Sequence, residues 1–194
     1  MKFTNKKGKI RLYDGTGTPF YLEIDFDVGN FSGPLGVSKA EEILILNRGN
    51  SDADAHYIAG SDVRIMEPFP ITFGAFVVEK TQCGYLLDWL EAMADGGGSP
   101  AVNGNTLVTT KEDTQRDGAN NTPAFADASK MTSNVEYRLD GTADIVWHYN
   151  EVYFELSEQS LSEAEDGVTI ALNGMCYGTV VRDTAFTTGT DVEE

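Results

Sequence analysis

The side chains best suited to chemistry in this chain are few and scattered: His56, His148, Cys83 and Cys176. A zinc site needs such residues at short spacing, as in C-x2-C, and none occurs. Each histidine falls in a strand-like stretch and reads as a sheet or surface residue. The cysteines read as buried thiols acting as small apolar groups, able to pair only if the fold brings them together. "SDADAHYIAGSD", residues 51–62, sets Asp52 and Asp54 at alternate positions, as a calcium loop does. The third ligand, the following Gly and the distal Glu of that loop are absent, so the stretch reads as a hairpin tip. "GGGSPA", residues 96–101, has G-x-G-x-x-A spacing, but it follows a helical pattern where a dinucleotide loop must follow a strand. No G-x-S-x-G, Walker A or H-E-x-x-H run is present. Two-carboxylate hydrolysis can be drawn in many ways from 31 acidic residues, which gives any one pair little weight. The expectation is a chain without catalysis and without a cofactor.

One acidic pattern is sharper. In "FYLEIDFDV", residues 20–28, Leu22, Ile24, Phe26 and Val28 share one face of a strand, and Glu23, Asp25 and Asp27 share the other. In a monomer this is the wet face of a half-buried strand. In an assembly it is a negative stripe facing something that must not stick. Net charge is −17 and unevenly spread. Lys2, Lys6, Lys7, Lys9 and Arg11 lie in residues 1–11 with no acid, leaving 9 basic against 31 acidic residues, or −22, in 12–194. An acidic body repels phosphates, which argues against a sequence-reading DNA binder. A basic arm on that body is suited to docking on a neighbouring copy.

The positioning elements are mostly strands. A length of 194 residues suits one domain. No stretch approaches the ~20 apolar residues of a membrane span, and "MKFTNKKGKI" lacks the apolar region and cleavage site of a signal peptide. Alternation predicts strands at 9–13, 20–28 and 61–70, the last closed by Pro68 and Pro70, and "ITFGAFVVE", 71–79, reads as a covered central strand. Residues 36–61 form a long excursion, read as an extended hairpin with its turn near Arg48–Asp54. Leu86, Trp89, Leu90 and Met93 mark the apolar stripe of one helix, with Thr81 as its N-cap and "DGGGSP" as its stop. Residues 96–133 read as a long polar loop with a short strand at 106–110. Further strands are expected at 134–139, 143–149, 151–156, 167–172 and 176–183. Asp140-Gly141 and Asn173-Gly174 are hairpin turn signals. Residues 157–167 read as an acidic connector and 184–194 as a polar tail. The fold class is mainly β, an antiparallel sandwich or barrel with one flanking α-helix and long loops.

In several stretches the chain resembles the major tail tube protein of long-tailed, siphovirus-type bacteriophages. "HYIAGSDVRIMEPFPITF" (56–73) is similar to that family's strand pair after a long loop, and "YLLDWLEAM" (85–93) to its single helix. "DIVWHYNEVYFEL" (144–156) is similar to its late hairpin, and "GVTIALNGMCYGTV" (167–180) to its closing strand pair. The likeness covers a little over half the chain, and the 96–133 loop has no counterpart in it. It implies a virion protein, assembled in the host cytoplasm, whose six copies form a ring; rings stack into a tube that conducts double-stranded DNA. Partners would be further copies of itself, tail terminator and tail-tip proteins, and the tape measure protein and DNA inside the lumen. On this likeness Glu23, Asp25 and Asp27 face the lumen. Residues 36–61 become the arm to the next ring, gripping through Ile43, Leu44, Ile45, Leu46 and Arg48, while Lys2, Lys6, Lys7, Lys9 and Arg11 dock on a neighbour. A β-sandwich carbohydrate-binding module and a hydrolase using two carboxylates remain the alternatives.

Overall fold

A computed structural model describes residues 8–24, 30–36, 39–41, 64–66, 68–76, 80–95, 101–110, 131–139, 144–164 and 167–194. Alternating apolar residues build its first strands, β1 (Lys9–Tyr13) and β2 (Phe20–Ile24), which pair antiparallel. Ile10, Leu12, Leu22 and Ile24 are buried on one face, as the alternation predicts. A short pair follows, β3 (Lys39–Glu41) with β4 (Arg64–Met66), forming a two-stranded sheet of its own. Next come β5 (Phe69–Phe76) and the helix α1 (Lys80–Asp95). A tight hairpin joins β6 (Ala101–Val102) to β7 (Asn105–Thr106). The second half holds β8 (Ser133–Leu139), β9 (Ile145–Tyr153), a 3-10 turn (Leu156–Glu158), β10 (Ser160–Ala164), β11 (Gly167–Cys176), β12 (Val180–Asp183) and β13 (Thr190–Asp191).

The main sheet runs β10-β11-β9-β8-β1-β2-β13, with β12 also paired to β9 and β5 to β11. All of its pairings are antiparallel except β13 on β2. The sheet turns over on itself at β9. The first part of β9 pairs with β12, and its last residues, Val152 and Tyr153, pair with β11. Between them Asn150 and Glu151 face only Asn134 across β8, which is a β-bulge. Glu151 takes a positive φ of 56°, and its N–H is held by Asn134 Oδ1 at 3.0 Å. The bulge re-aims the strand, so residues of β1, β2 and β8 share one core with Ile71, Phe73, Ile170 and Leu172 of β5 and β11. Phe31 packs at this seam, stacking on Tyr137 at 4.2 Å and lying 6.2 Å from Phe73.

The helix stripe is as read: Leu86, Trp89, Leu90 and Met93 are all buried. Trp89 cannot leave its indole N–H unpaired in that core, and it donates to the fully buried Ser133 Oγ at 2.9 Å. Gln82 reaches from the same helix to the Glu23 carbonyl at 3.0 Å.

Several expectations are corrected. The helix starts at Lys80, so Thr81 lies inside its first turn rather than at the cap. The strand expected at 71–79 is β5 (Phe69–Phe76), with residues 71–75 buried or half-buried and 77–79 outside the described residues, but it lies at a sheet margin rather than at its centre. Its one long pairing is with β11, and Ser32 meets Thr72 by a single bridge on its other side, the sheet-margin setting that tolerates Pro70. Stretches 143–149 and 151–156 are not two strands but one, β9, bent by its bulge. Asn173-Gly174 is not a turn; it lies inside the continuous β11. A Cβ on Gly174 would sit 2.7 Å from Val152 and 2.8 Å from Phe154, so the glycine serves close packing there. The turn chemistry appears instead at Asn103 (φ 48°) and Gly104 (φ 77°), in the stretch read as loop. The acidic connector 157–167 contains the strand β10, and residues 107–110 are irregular. Asp140-Gly141 lies outside the described residues, although β8 and β9 pair up to Leu139–Ile145 on either side of it.

Candidate functional site

The non-core face of the sheet carries a cluster of paired charges. β1 contributes Lys9, Arg11 and Tyr13; β2 contributes Tyr21 and Glu23; β8 contributes Glu136 and Arg138; β9 contributes His148. The registers set them side by side: Arg11 pairs with both Glu23 and Glu136, and Glu136 with His148. The expected wet stripe is therefore not a bare negative surface at Glu23. Its carboxylate accepts from Arg11 Nε at 2.8 Å and from Lys9 Nζ, and its side chain is only 20% exposed. Burial opposes ionisation of Glu23, but the hydrogen bonds from Lys9 and Arg11 outweigh it and hold its pKa below the ordinary value. Lys9 and Arg11 likewise belong to β1 rather than to a separate arm, and their charge is matched within the chain. Asp25, Asp27, Lys2, Lys6, Lys7, Ile43, Leu44, Ile45, Leu46 and Arg48 lie outside the described residues, as does His56.

The polar tail 184–194 is the larger correction. It crosses this charged face as a strap and then adds β13 to the edge of β2. Glu136 lies beneath it at 2% exposure and is the anchor. Thr187 donates its N–H to Glu136 Oε2 at 2.9 Å and its hydroxyl to Oε1 at 2.5 Å. His148 Nδ1 reaches Oε1 at 2.7 Å. Tyr13 Oη donates to the Thr187 carbonyl at 2.9 Å. Phe186 receives the guanidinium groups of Arg11 at 4.4 Å and Arg138 at 5.3 Å on its ring. Burial pushes the His148 pKa down, but the Glu136 hydrogen bond and charge, with Asp183 and the Ala185 backbone, raise it overall. Further along, Val192 is wholly buried; its N–H donates to the Tyr21 carbonyl, and Asn103 Nδ2 donates to its carbonyl at 2.7 Å.

Beside the strap lies a cleft of ≈ 370 Å³, and both Asp14 and Glu136 reach its wall. This bears on the two-carboxylate alternative. Asp14 Oδ1 accepts from the Thr16 hydroxyl at 2.9 Å and the Phe20 N–H at 2.8 Å, and Oδ2 accepts from the Val108 N–H at 3.1 Å. All four oxygens of the pair are thus held by donors of the chain. Such a carboxylate closes turns and fixes strands; general acid–base work asks for one that reaches the substrate. A second cleft, also ≈ 370 Å³, is lined by Tyr153, Tyr177, Glu155, Glu158, Asn173 and Met175 among others. The thiols are separate: Cys176 is buried, its pKa pushed up to about 12 by burial, and Cys83 is half-buried.

Among the described residues no helix is long and apolar enough to cross a membrane. The strap had no clear signal in the sequence beyond Val192 and Phe186, two apolar residues in a polar tail. In comparisons with known proteins, no family model matches the chain and no curated protein matches it.

Proposed function

We propose that this protein is a structural, self-assembling tail tube subunit of a long-tailed bacteriophage, acting without catalysis as part of a conduit for double-stranded DNA. The observation that carries the reading is the β3–β4 stem. Lys39 pairs with Met66, Ala40 with Ile65 and Glu41 with Arg64, in a sheet separate from the main one. It holds together the two ends of residues 42–63 between β2 and β5. That is where the resemblance requires the arm that bridges rings.

Other features support it. The mainly β fold with one helix agrees with the family's expected architecture. The β10 strand at the end of the main sheet shows Leu161 at 64% exposure, although its cross-strand partner Ile170 is buried. An exposed leucine on an unpaired sheet margin is a liability on a monomer and an asset in a closed assembly. The excess negative charge suits a bore that must pass a polyanion. Because Glu23 is already ion-paired within the chain, Asp25 and Asp27 carry the lumenal stripe in this reading. Its partners are copies of itself, with tail terminator, tail-tip and tape measure proteins at the ends and interior.

Negative-stain microscopy of the concentrated protein is expected to show hollow filaments of uniform diameter. Monomers alone across concentration and salt would count decisively against the proposal. Deleting residues 42–63, beyond the stem, is expected to leave a folded chain that forms no filaments. The second cleft, with Tyr153, Tyr177 and two carboxylates, favours a carbohydrate-binding module as the rival, which a glycan array tests.

A further inference from the structure

The strap rests on one titratable pair. From Thr184 to Thr190 it carries no ionisable side chain, so a response of its seat to pH comes from what lies beneath. There lie Glu136 and His148, register partners across β8 and β9. The Glu136 side chain is 2% exposed and that of His148 is 14% exposed. Strap residues on both sides of Phe186 engage the pair. Thr187 gives Glu136 its N–H and its hydroxyl, and the Ala185 backbone favours the charged form of the His148 ring.

The other charged groups facing the pair do not change sign near neutrality. From β1, Arg11 is engaged by Glu23 and Phe186, and burial pushes the Tyr13 hydroxyl far above its ordinary pKa. From β8, Arg138 lies on Phe186 and 3.9 Å from Asp144. From β12, Asp183 adds negative charge that favours the His148 cation. Within this layer His148 is the side chain whose ordinary value lies near neutrality.

Its proton decides how well the seat is satisfied. With the ring charged, the buried carboxylate has a cation 2.7 Å away, and the pair can be withdrawn from water under the strap. With the ring neutral, the carboxylate stays buried without that opposite charge. His148 Nε2 is itself buried without a hydrogen-bond partner among the described residues. A neutral ring leaves it an acceptor with no donor, and lifting the strap gives it water.

We propose that Glu136 and His148 form a pH-operated latch: the strap, residues 184–192, is seated while His148 carries its proton and lifts as the ring becomes neutral, with the rest of the fold still closed. Lifting uncovers the edge of β2, the faces of Arg11 and Arg138 beneath Phe186, and the cleft beside Thr187. Burial lowers the pKa of His148, but Glu136, Asp183 and Ala185 raise it overall in the seated state. Seating therefore takes up a proton; it is favoured below the ordinary value of ~6.5 and lost as pH rises through the raised one. The latch does not depend on the tail tube reading.

Amide hydrogen exchange of the full-length protein, read as protection factors between about pH 5.5 and 8.5, tests this. Thr187, Thr190 and Val192, whose N–H groups donate to Glu136, Pro19 and Tyr21, report on the strap. Ile170 and Leu172 of β11 report on the core. The strap amides are expected to be less protected than the core amides at every pH, and to lose protection several-fold across the range. Equal protection of strap and core would mean that the strap leaves only when the chain unfolds, and flat strap protection would mean that no proton is linked to seating; either result overturns the latch. His148→Gln keeps a side-chain donor without the charge and is expected to make strap protection flat. Glu136→Gln removes the charge that His148 answers, is expected to reduce the fall, and serves as the same test where the first variant does not fold. A fall of the parent's size in either folded variant would assign the proton to another group and overturn the proposal.

Discussion

Two regions of this protein are withdrawn from water and are opposite in chemistry. Between α1 and the sheet lies a core of Ile10, Leu12, Leu22, Trp89, Leu90 and Phe154. On the other side of β1 and β8 lies a charged layer of Arg11, Glu23, Glu136, Arg138 and His148, roofed by Phe186 and Thr187. The apolar core gains from burial itself, at ~1.5–3 kcal/mol for each large side chain. The charged layer gains little from burial and is tolerable only because its carboxylates are paired and hydrogen-bonded. The core therefore explains why the chain folds. The charged layer explains why the C-terminal segment lies where it does, since Thr187, Phe186 and Tyr13 complete contacts that the sheet alone leaves open.

The comparison breaks first on large truncations. Phe154→Ala is expected to cost ~3–5 kcal/mol through lost transfer energy and the cavity left behind. Glu136→Ala is expected to cost ~3 kcal/mol, because it strands the Thr187 N–H and hydroxyl and the His148 ring without an acceptor. Urea denaturation of both variants puts the two regions on one scale. A cost for Glu136→Ala below a few tenths of a kcal/mol would mean that the charged layer is ornament on a fold the core alone determines.

Phe186→Ala sharpens the comparison at smaller amplitude. Losing a half-buried ring packed on two guanidinium groups is expected to cost ~1 kcal/mol. The effect should appear as faster proteolysis at the C-terminus before any change in global unfolding. Equal protection in the variant and the parent would show that Phe186 does not hold the strap.

The pH dependence separates the two acid–base partners of the charged layer. The folded pKa of His148 is raised above its unfolded value of ~6.5. Its stabilising contribution is complete below ~pH 6.5 and is lost as pH rises through the raised value. His148→Gln is expected to flatten stability measured across that window, and an unchanged slope would exclude His148 as its source. Glu23 runs the other way: its folded pKa is lowered, so its contribution is present above its unfolded value and lost as pH falls through the folded one. Glu23→Gln is expected to cost no more than ~1 kcal/mol at neutral pH, since the pair is partly solvated, and to remove that acid-side loss.

How much of this was legible follows the same division. The helix stripe and the strands β1, β2 and β8 were readable because burial on one face writes a period into the sequence. The strand β10 was not, since "SLSEA" carries one large apolar residue, Leu161, without alternation and is a strand only because β11 offers it a partner. The bend in β9 was invisible because a bulge is a matter of register between two strands, and Asn150-Glu151 has no glycine to announce it. Asn173-Gly174 misled for a related reason. A glycine needed for close packing against Val152 and Phe154 is spelled the same as one needed for a turn. At the candidate site, the alternating acids were found, but their neutralisation was not. Arg11 meets Glu23 across a strand pair, and the sequence gives each only its own face.

By itself, the sequence determined which residues must avoid water, the strand and helix periods that let them do so, and the excess of negative charge, because these are properties of local pattern and composition. Only the tertiary structure decided which charges cancel, where the sheet turns over and that the last residues of the chain bind across its outer face. Those outcomes depend on contacts between residues far apart along the chain, such as Glu136 with Thr187 and Asn103 with Val192. No local period records such contacts, because each partner satisfies its local rules equally well without the other.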